Sequence, residues 1–517
     1  MARESFWRRT DAVELAVLWL FVLLSMWVLG GDLYEVFSQG ATWTGTDGLF
    51  TADQLQYLAW IRDASHHLLV ANLFVLRPTP HDYLQPMIAI SGGLVALGMA
   101  PWLALLLWKP VALAVVLIGV RAFVHRAVQG AGARRAALAV ALFGGTNRMF
   151  VDLWLPLWAW GYPFALVAFG AALLSLLRYE RACAAGRLPF AAALLAGLAG
   201  WLHPWQGEVL IVTLIGAEAL LWLLGRRPHP QSLLMVIGAA ALPLAYYAML
   251  HNFDPSWRLA AQSDTSGLPV SRLGLWLWPL LIPAALAYRL RPRGVSDAAV
   301  RMWPFAALAC YLANLHGMGS SPFHAFLGIT IPLAVLSAQG LQSLRWPRGV
   351  PRTALAVAMT AAITVPVVIY HLNTNAHSVP PAQGHAANFM PEAEADALLY
   401  IAAQPGPGGV LADSHIGVAV PAATGRRVYV GDRYWSQPDF HVKQNLVDDL
   451  LMGWLTPPRA GAFVLSTGAR FLIVDCWVHH SPDRLLGGII QSSHDFGCAR
   501  VYTIKTEHRS TANGARR

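Results

Sequence analysis

Charged residues are scarce in this sequence. Asp, Glu, Lys and Arg make up 13% of its 517 residues, about half of their share in a typical soluble domain. Hydrophobic residues make up 56%, and the mean hydropathy is +0.47. Such a chain cannot cover several soluble domains with a water-facing surface, and its composition also excludes a disordered chain, a collagen-like fibre and a nucleic-acid-binding protein. The sequence is therefore that of a membrane protein, for which its 21 Trp and 20 Phe are also typical.

Cysteine is scarce as well, and its four positions show no metal-ligand spacing. Cys183 and Cys310 fall near or within apolar runs, which favours a packing role. Cys476 and Cys498 fall near the C-terminus, where an oxidising compartment would permit a disulfide, and the sequence leaves this pairing open. The sequence predicts no certain cofactor and gives no support for a divalent metal, so metal use also stays open.

Apolar runs of about 20 residues cross a bilayer, and clusters of Lys and Arg mark its cytoplasmic side. The first run, Val13 to Gly30, follows Arg3, Arg8 and Arg9 and lacks a signal-peptide cleavage site, which predicts a permanent span with a cytoplasmic N-terminus. The run 84–100 is too short to cross, and crossing there would put the later basic clusters outside, so we expect an interfacial or re-entrant segment. About eleven spans are predicted, near residues 13–31, 102–124, 134–151, 158–177, 188–204, 207–225, 231–250, 273–289, 298–315, 325–343 and 353–372.

This topology leaves two large segments outside the membrane, which we call the first loop (residues 32–85) and the tail (residues 373–517). Pro and Gly punctuate the tail, and short β-rich runs appear in it. The predicted fold class is mainly α: a polytopic helical membrane domain, residues 1–372, followed by a small extracytoplasmic α/β domain, the tail. In the tail, strands are predicted at 409–411, 427–430, 470–475 and 500–504, and helices at 394–403 and 442–454.

The first loop carries two acidic residues close to a helical pattern. Asp47 lies in a short polar stretch, and Asp53 begins a segment in which Leu55, Leu58 and Ile61 supply one apolar face. A helix of this kind lies in the membrane plane. An Asp at a helix start often serves only as an N-cap, and this alternative stays open for Asp53.

From Asp53 onward, the loop resembles the signature of the GT-C superfamily of membrane glycosyltransferases. Its members place an acid in the first outside loop, a Tyr four residues later and then an Ile/Arg-containing juxtamembrane helix, which Tyr57, Ile61 and Arg62 match. Gln54 departs from the second acid that many members carry. The resemblance implies a bacterial inner-membrane enzyme that transfers a sugar, with inversion, from a polyprenyl-phosphate or diphosphate donor to an extracytoplasmic glycan, lipid or protein acceptor.

The same resemblance implies a second acid in the second outside loop, where this sequence has Asp152 four residues after Arg148. An intrahelical ion pair is the alternative for these two residues. An inverting transfer needs a carboxylate that takes the proton of the acceptor hydroxyl while the phosphate leaves from the opposite face. Asp53 is the predicted base, Asp152 the predicted second acidic group that orients the acceptor, and Asp47 the fallback base.

Because phosphate is a good leaving group, it needs cationic or hydrogen-bonding partners rather than a general acid. Lys109 lies near the outer end of the second predicted span, with snorkelling as the alternative, and His203 lies in a turn, with a structural role as the alternative. The polar segment 251–272 is predicted to cover the substrate, and the aromatic cluster around Trp435 suits sugar contact or the packing of a strand end. The predicted substrate-binding residues are Tyr57, Arg62, Arg77, Lys109, Arg148, His203, His251, Arg258, His324, Arg433 and Trp435, with Arg272 and His316 as further basic candidates.

Three other functions stay open. A transporter or flippase of lipid-linked sugars is also polytopic, although the sequence has no convincing internal repeat and its acids cluster outside the spans. A lipid-linked oligosaccharide ligase or polymerase is also outward-facing, although its long loop usually comes late in the chain. A non-catalytic descendant that only binds a glycolipid is compatible with Gln54.

Overall fold

The computed structural model describes residues 11–47, 50–145, 153–264, 267, 269–345, 351–376, 388–478 and 480–505. Proline supplies the first residue of several of its helices, where the missing N–H costs no hydrogen bond. The helices of the membrane part are α1 (Ala12–Gln39), α2 (Thr51–Ala64), α3 (Pro86–Ala96), α4 (Pro101–Leu106), α5 (Trp108–Ala127), α6 (Ala131–Phe143), α7 (Leu155–Trp158), α8 (Pro163–Ala184), α9 (Phe190–Leu202), α10 (Pro204–Leu223), α11 (Pro230–Phe253), α12 (Pro255–Ser263), α13 (Val270–Ala287), α14 (Val295–Ala313), α15 (Thr330–Ser343) and α16 (Arg352–Ala376).

Nine helical segments of the described chain are long and apolar enough to cross a membrane. They confirm a multi-pass helical membrane protein and correspond to nine of the eleven predicted spans. The other two, 134–151 and 188–204, contain most of α6 and α9, which have 13 residues each, and residues 146–151 of the first lie outside the described residues. At 1.5 Å per residue, such a helix covers only about 20 Å of a hydrocarbon core about 30 Å thick. The run 84–100 forms α3, whose 11 residues are also too few to span.

Close approach of helix backbones holds the centre of the membrane part together. A Cβ added to Gly170 on α8 would lie 2.7 Å from the Val115 carbonyl oxygen on α5, and one added to Gly119 would lie 3.0 Å from the Gly170 carbonyl oxygen. Small residues let two membrane helices approach in this way, which increases the dispersion contacts between them. The α5–α8 pair therefore depends on glycine at both positions.

Some of the basic residues used to predict the cytoplasmic side are paired with acids. The Glu14 carboxylate is 1% exposed and lies 3.3 Å from Nε of Arg121, while Glu180 accepts from Nε of Arg126 at 2.8 Å. A buried carboxylate is costly unless it is paired and hydrogen-bonded. These arginines therefore neutralise acids between helices in addition to marking one end of the helix bundle.

The tail contains a four-stranded sheet covered by helices. Its strand order is β1-β2-β4-β3, with β1 parallel to β2 and the other neighbours antiparallel. Apolar side chains of β2, all of them buried, form the centre of this sheet. The elements are α17 (Glu392–Ala403), β1 (Val410–Leu411), α18 (Ser414–Gly417), α19 (Val420–Thr424), α20 (Phe440–Leu451), α21 (Pro457–Thr467), β2 (Phe471–Val474), α22 (Asp483–Leu486), β3 (Ile490–Phe496) and β4 (Ala499–Ile504).

Both predicted tail helices and three of the four predicted strands are present. The exception is 427–430, where Val428 forms only an isolated bridge to Val410. The edge strand β3 was not predicted, because its central residues are polar and exposed. The structure also resolves the pairing left open by the sequence: a disulfide joins Cys476 and Cys498, whose Cα atoms lie 4.6 Å apart.

The first loop and the tail pack together on one side of the helix bundle and share a hydrophobic core. Backbone bonds link them at two places: the Thr44 amide donates to the Asn388 carbonyl at 2.9 Å, and the Val428 amide donates to the Leu73 carbonyl at 3.0 Å. In addition, the Asn72 side-chain amide donates to the Trp435 carbonyl at 2.9 Å. These contacts fix the tail over the membrane part rather than leaving it on a linker.

Candidate active site

A cavity of about 760 Å³ lies where the first loop, the ends of several membrane helices and the tail meet. Its volume is in the range of a small-molecule or cofactor site. α2, α10, α11 and α12 contribute to its wall, and so does the tail segment after β1 and α19. Of the predicted site residues, the cavity is lined by Asp53, Tyr57, His203, His251, His324 and Trp435.

Asp53 lies in the first turn of α2, but it does not cap the helix. The N-cap is Phe50, whose φ of 62° is left-handed and which makes no side-chain cap bond. The carboxylate of Asp53 instead accepts a hydrogen bond from the hydroxyl of Tyr162. Burial raises the pKa of Asp53 to about 6, the Tyr162 hydrogen bond opposes this rise, and the negative charge of Asp264 adds to it. Asp53 is therefore a carboxylate that both gains and loses a proton near neutral pH.

Two further acids lie near Asp53. Asp264 follows α12, lines the cavity and accepts a hydrogen bond from the Ser321 hydroxyl. Asp432 in the tail is buried, and its Oδ1 accepts from the backbone amides of Tyr434 at 2.8 Å and Trp435 at 3.0 Å. Burial and the charge of Asp53 raise the pKa of Asp432 to about 7. Asp53 thus interacts electrostatically with two acids from distant parts of the chain, one in the cavity lining and one behind it.

Aromatic rings form one wall of the cavity around Trp60 of α2. Trp435 meets Trp60 edge-on at 5.1 Å between centroids, and Trp257 lies parallel to Trp60 at 6.3 Å. Tyr83 packs against both Trp60 and Trp257, at 4.9 and 4.5 Å. Such rings offer flat apolar faces of the type on which the C–H face of a sugar stacks.

Two histidines form the opposite part of the lining. His203, between α9 and α10, stacks on His324 with centroids 5.2 Å apart, and Trp205 contacts both rings. His203 is 2% exposed, yet neither of its ring nitrogens has a hydrogen-bond partner among the described residues. An unpaired buried polar group is costly, so the His203 ring is available to hydrogen-bond a molecule bound in the cavity.

Asp47 and Lys109 lie next to this site without lining it. Both side chains are buried and form an ion pair, and the Lys109 ammonium also donates to the Ala159 carbonyl. Lys109 therefore neither snorkels nor faces the cavity. Gln54 holds the same stretch, because its side-chain amide accepts from the Asp47 amide at 3.0 Å and donates to the Asp47 carbonyl at 2.8 Å. The residue that departs from the superfamily pattern is thus an anchor of the loop.

The remaining predicted residues lie away from the cavity lining. Arg62 donates through Nη1 to the carbonyls of Ala422 at 3.0 Å and Ala423 at 2.6 Å, so it joins α2 to the tail. Arg433 is exposed and lies over the Tyr434 ring at 5.1 Å. Arg77, Arg258, Arg272 and His316 are exposed. Arg148 and Asp152 lie outside the described residues.

Sequence reasoning missed Tyr162, Asp264 and Asp432 as individual site residues. For the last two a weak signal existed, since they belong to the segment predicted to cover the substrate and to the cluster around Trp435. Tyr162 had none, because it meets Asp53 across 109 residues of chain. Among the described residues, no trio of metal-capable side chains in this cavity has its ligand atoms within 4.8 Å of one another. The cavity thus gives a metal no ready set of three protein ligands.

No protein-family model and no curated protein sequence matches this chain. Solved structures do match it. The oligosaccharyltransferase AglB of the archaeon Archaeoglobus fulgidus, in complex with an inhibitory peptide and a dolichol-phosphate, is 13% identical, with a TM-score of 0.53 over 91% of this chain and 70% of that chain. The Archaeoglobus fulgidus oligosaccharyltransferase tethered to an acceptor peptide containing the NVT sequon is 14% identical, with a TM-score of 0.54 and the same coverage. ArnT from Cupriavidus metallidurans, bound to undecaprenyl phosphate, is 14% identical, with a TM-score of 0.48 over 95% of this chain and 98% of that chain. The likeness to the oligosaccharyltransferase confirms the predicted fold: this chain has the polytopic fold of GT-C glycosyltransferases.

Proposed function

Starting from the GT-C fold, we propose that this chain is an inverting membrane glycosyltransferase that takes a sugar from a polyprenyl-phosphate or polyprenyl-diphosphate donor. The observation that carries the proposal is Asp53, an acid with a pKa of about 6 in a cavity walled by aromatic rings. A general base works best when its pKa lies near the operating pH. The oligosaccharyltransferase of similar fold was solved with a dolichol-phosphate, a lipid carrier of the proposed class.

In the proposed reaction, Asp53 accepts the proton of an acceptor hydroxyl as the hydroxyl oxygen attacks the anomeric carbon. A new carbon–oxygen bond forms, the bond between the anomeric carbon and the phosphate oxygen breaks, and its electron pair leaves with the phosphate. The configuration inverts because attack and departure take place on opposite faces. Asp264, which lines the cavity, orients the acceptor hydroxyl by accepting a hydrogen bond from it, and Asp432 holds the backbone of Tyr434 and Trp435 in the cavity wall.

The leaving phosphate is assigned to the histidine side of the cavity. None of the described lining residues is Lys or Arg, whereas His203, His251 and His324 all line it. The unpaired ring of His203 supports this role, because a phosphate oxygen can accept a hydrogen bond from its N–H. The donor sugar then stacks on the wall around Trp60, between the phosphate and Asp53.

The anchoring role of Gln54 supports catalysis rather than a purely binding descendant. Its amide bonds to the backbone of Asp47 and also donates to the Trp160 carbonyl at 3.3 Å. Gln54 therefore faces away from the cavity, and the missing acid at this position leaves Asp53, Asp264 and Asp432 unaffected. The acceptor is a glycan, lipid or protein.

The test uses membrane vesicles containing the full chain, supplied with a panel of radiolabelled polyprenyl-phosphate and polyprenyl-diphosphate sugars. We expect transfer from at least one donor, and a loss of about 100-fold or more in Asp53→Asn, the size of a general-base contribution. Asp396→Asn, an exposed acid on α17, is the matched control and should keep the wild-type rate. Equal rates in Asp53→Asn and wild type would refute the assignment of the base. Export of the intact lipid-linked sugar without transfer would favour the transporter alternative.

A further inference from the structure

A second cluster of polar side chains lies at the other end of α2, outside the candidate active site. Asp63 is near the end of this helix, His67 follows one turn later, and His81 returns to them from the rest of the first loop. Nδ1 of His67 lies 3.1 Å from Oδ1 of Asp63, and Nε2 of His81 lies 3.5 Å from Oδ2. The two imidazole rings face each other with centroids 4.2 Å apart.

We propose that Asp63, His67 and His81 form a zinc-class metal site that closes the part of the first loop on which the tail docks. Two imidazoles and a carboxylate are a ligand set that suits Zn²⁺. With metal–ligand bonds of about 2.0–2.1 Å, a tetrahedral ion keeps its ligand atoms about 3.3 Å apart. The His67 and His81 nitrogens lie 3.1 and 3.5 Å from different oxygens of the Asp63 carboxylate, and one ligand atom from each of the three residues lies within 4.8 Å of the others, so small side-chain rotations bring them to this spacing.

The exposure of the three side chains fits an open coordination sphere. The side chain of Asp63 is only 9% exposed, whereas those of His67 and His81 are 51% and 39% exposed. A metal can therefore enter from solvent, and water can occupy the fourth position. The carboxylate is held in place from behind, since its Oδ2 accepts from the Ala71 amide at 2.9 Å. Fixing a ligand in this way is typical of metal sites in proteins.

The position of the site explains what a metal would do there. Residues 68–80, between the two histidines, carry the contacts to the tail: the Leu73 carbonyl accepts from Val428, and the Asn72 carbonyl accepts from Nη1 of Arg427 at 2.7 Å. A metal held by Asp63, His67 and His81 ties both ends of this segment to α2. Tyr83, two residues after His81, lines the cavity, so the metal stabilises a wall of the candidate active site without entering it.

Metal binding is tested on the full chain in detergent, after chelation and dialysis, by competition between the protein and a chromogenic zinc chelator. All variants carry Cys183→Ser, because Cys183, Glu218 and His229 are a second possible ligand set. We expect one Zn²⁺ per chain, with an affinity at least about tenfold weaker in His67→Ala and in His81→Ala. His66→Ala is the matched control, since His66 is exposed in the same turn but is not one of the three ligands. Mg²⁺ should not compete, because it prefers an all-oxygen ligand set.

Thermal unfolding and limited proteolysis give readouts that do not depend on the proposed enzyme activity. Zn²⁺ at a concentration that saturates the control should raise its Tm and protect its first loop from protease, and should do both to a smaller extent in His67→Ala and His81→Ala. His81→Gln replaces His81→Ala if the latter fails to fold, because glutamine keeps a hydrogen-bonding group. Equal zinc affinity and an equal Tm shift in the control and both histidine variants would overturn the site, and would show that these side chains only hydrogen-bond one another.

Discussion

Burial raises the pKa of Asp53, and two neighbours modify that rise in opposite directions. The Tyr162 hydroxyl stabilises the carboxylate and lowers its pKa, whereas the charge of Asp264 raises it, and Tyr162 has the larger effect. Tyr162→Phe should therefore raise the pKa of Asp53, and Asp264→Asn should lower it. A hydrogen bond to a charged group contributes about 1.5–3 kcal/mol, and one pKa unit corresponds to about 1.4 kcal/mol. Because water in the cavity replaces part of the lost bond, we expect a rise of about one unit for Tyr162→Phe and a smaller fall for Asp264→Asn.

The pH dependence of kcat/KM for sugar transfer measures these shifts, since it reports the ionisation of the free enzyme. Asp53 must be ionised to accept a proton, so activity is present above its pKa and is lost as the pH falls through about 6. The pH at which activity falls on the acid side of the profile, the acid limb, should be higher in Tyr162→Phe and lower in Asp264→Asn, whatever happens to the maximal rate. Tyr400→Phe, in the tail and outside the cavity lining, is the control and should leave the limb in place. Limbs that coincide in all four proteins, or that move in the same direction in both cavity variants, would refute the role of Asp53 as the base.

Three further predictions concern binding and stability. His203→Ala should lower kcat for sugar transfer by about 100-fold, comparable to the loss of one donor to a developing negative charge, and unchanged kinetics would contradict its contact with the phosphate. Gly170→Ala should destabilise the chain by about 1–3 kcal/mol in thermal unfolding, because the new methyl group would lie 2.7 Å from the Val115 carbonyl oxygen. Gly238→Ala is its control, since nothing lies within 4 Å of the added carbon, and it should be neutral or slightly stabilising. Cys498→Ser should open a disulfide that bridges 22 residues and cost the tail about 3 kcal/mol, seen as protease cleavage of the tail at a lower denaturant concentration, and equal resistance with and without reductant would argue against that contribution.

The membrane fold could be predicted because the bilayer restricts the choices. A spanning segment must satisfy its own backbone hydrogen bonds, so a long apolar run is almost always a helix, and nine of the eleven predicted spans follow this rule. One of the other two, 188–204, was predicted too long because apolar composition continues past the end of its helix: α9 ends at Leu202 and α10 begins at Pro204, so the apolar run bends at His203. In 134–151, α6 ends at Phe143, before the small and polar residues 144–148.

The site could be predicted only where its chemistry is local in sequence. Asp53 and Tyr57 stand in one short motif, and both line the cavity. The role of Lys109 was harder to predict, because the residue that pairs with it, Asp47, lies in a different segment and their contact depends on tertiary packing. A lysine at a span end usually extends to the membrane interface. Only the fold reveals that Lys109 instead pairs with a buried carboxylate.

The shared core of the first loop and the tail has a consequence for biosynthesis. Arg62 and the carbonyl of Ala422 that it binds are separated by 360 residues, which a ribosome adds in roughly 20 to 70 s at ordinary elongation rates. During that interval, the aromatic residues of α2 and the loop segment after it lack their contacts with the tail, such as that of Trp60 with Trp435. The nascent chain must therefore keep this apolar surface from aggregating until the tail is made, and a chain terminated before residue 373 would leave the surface uncovered.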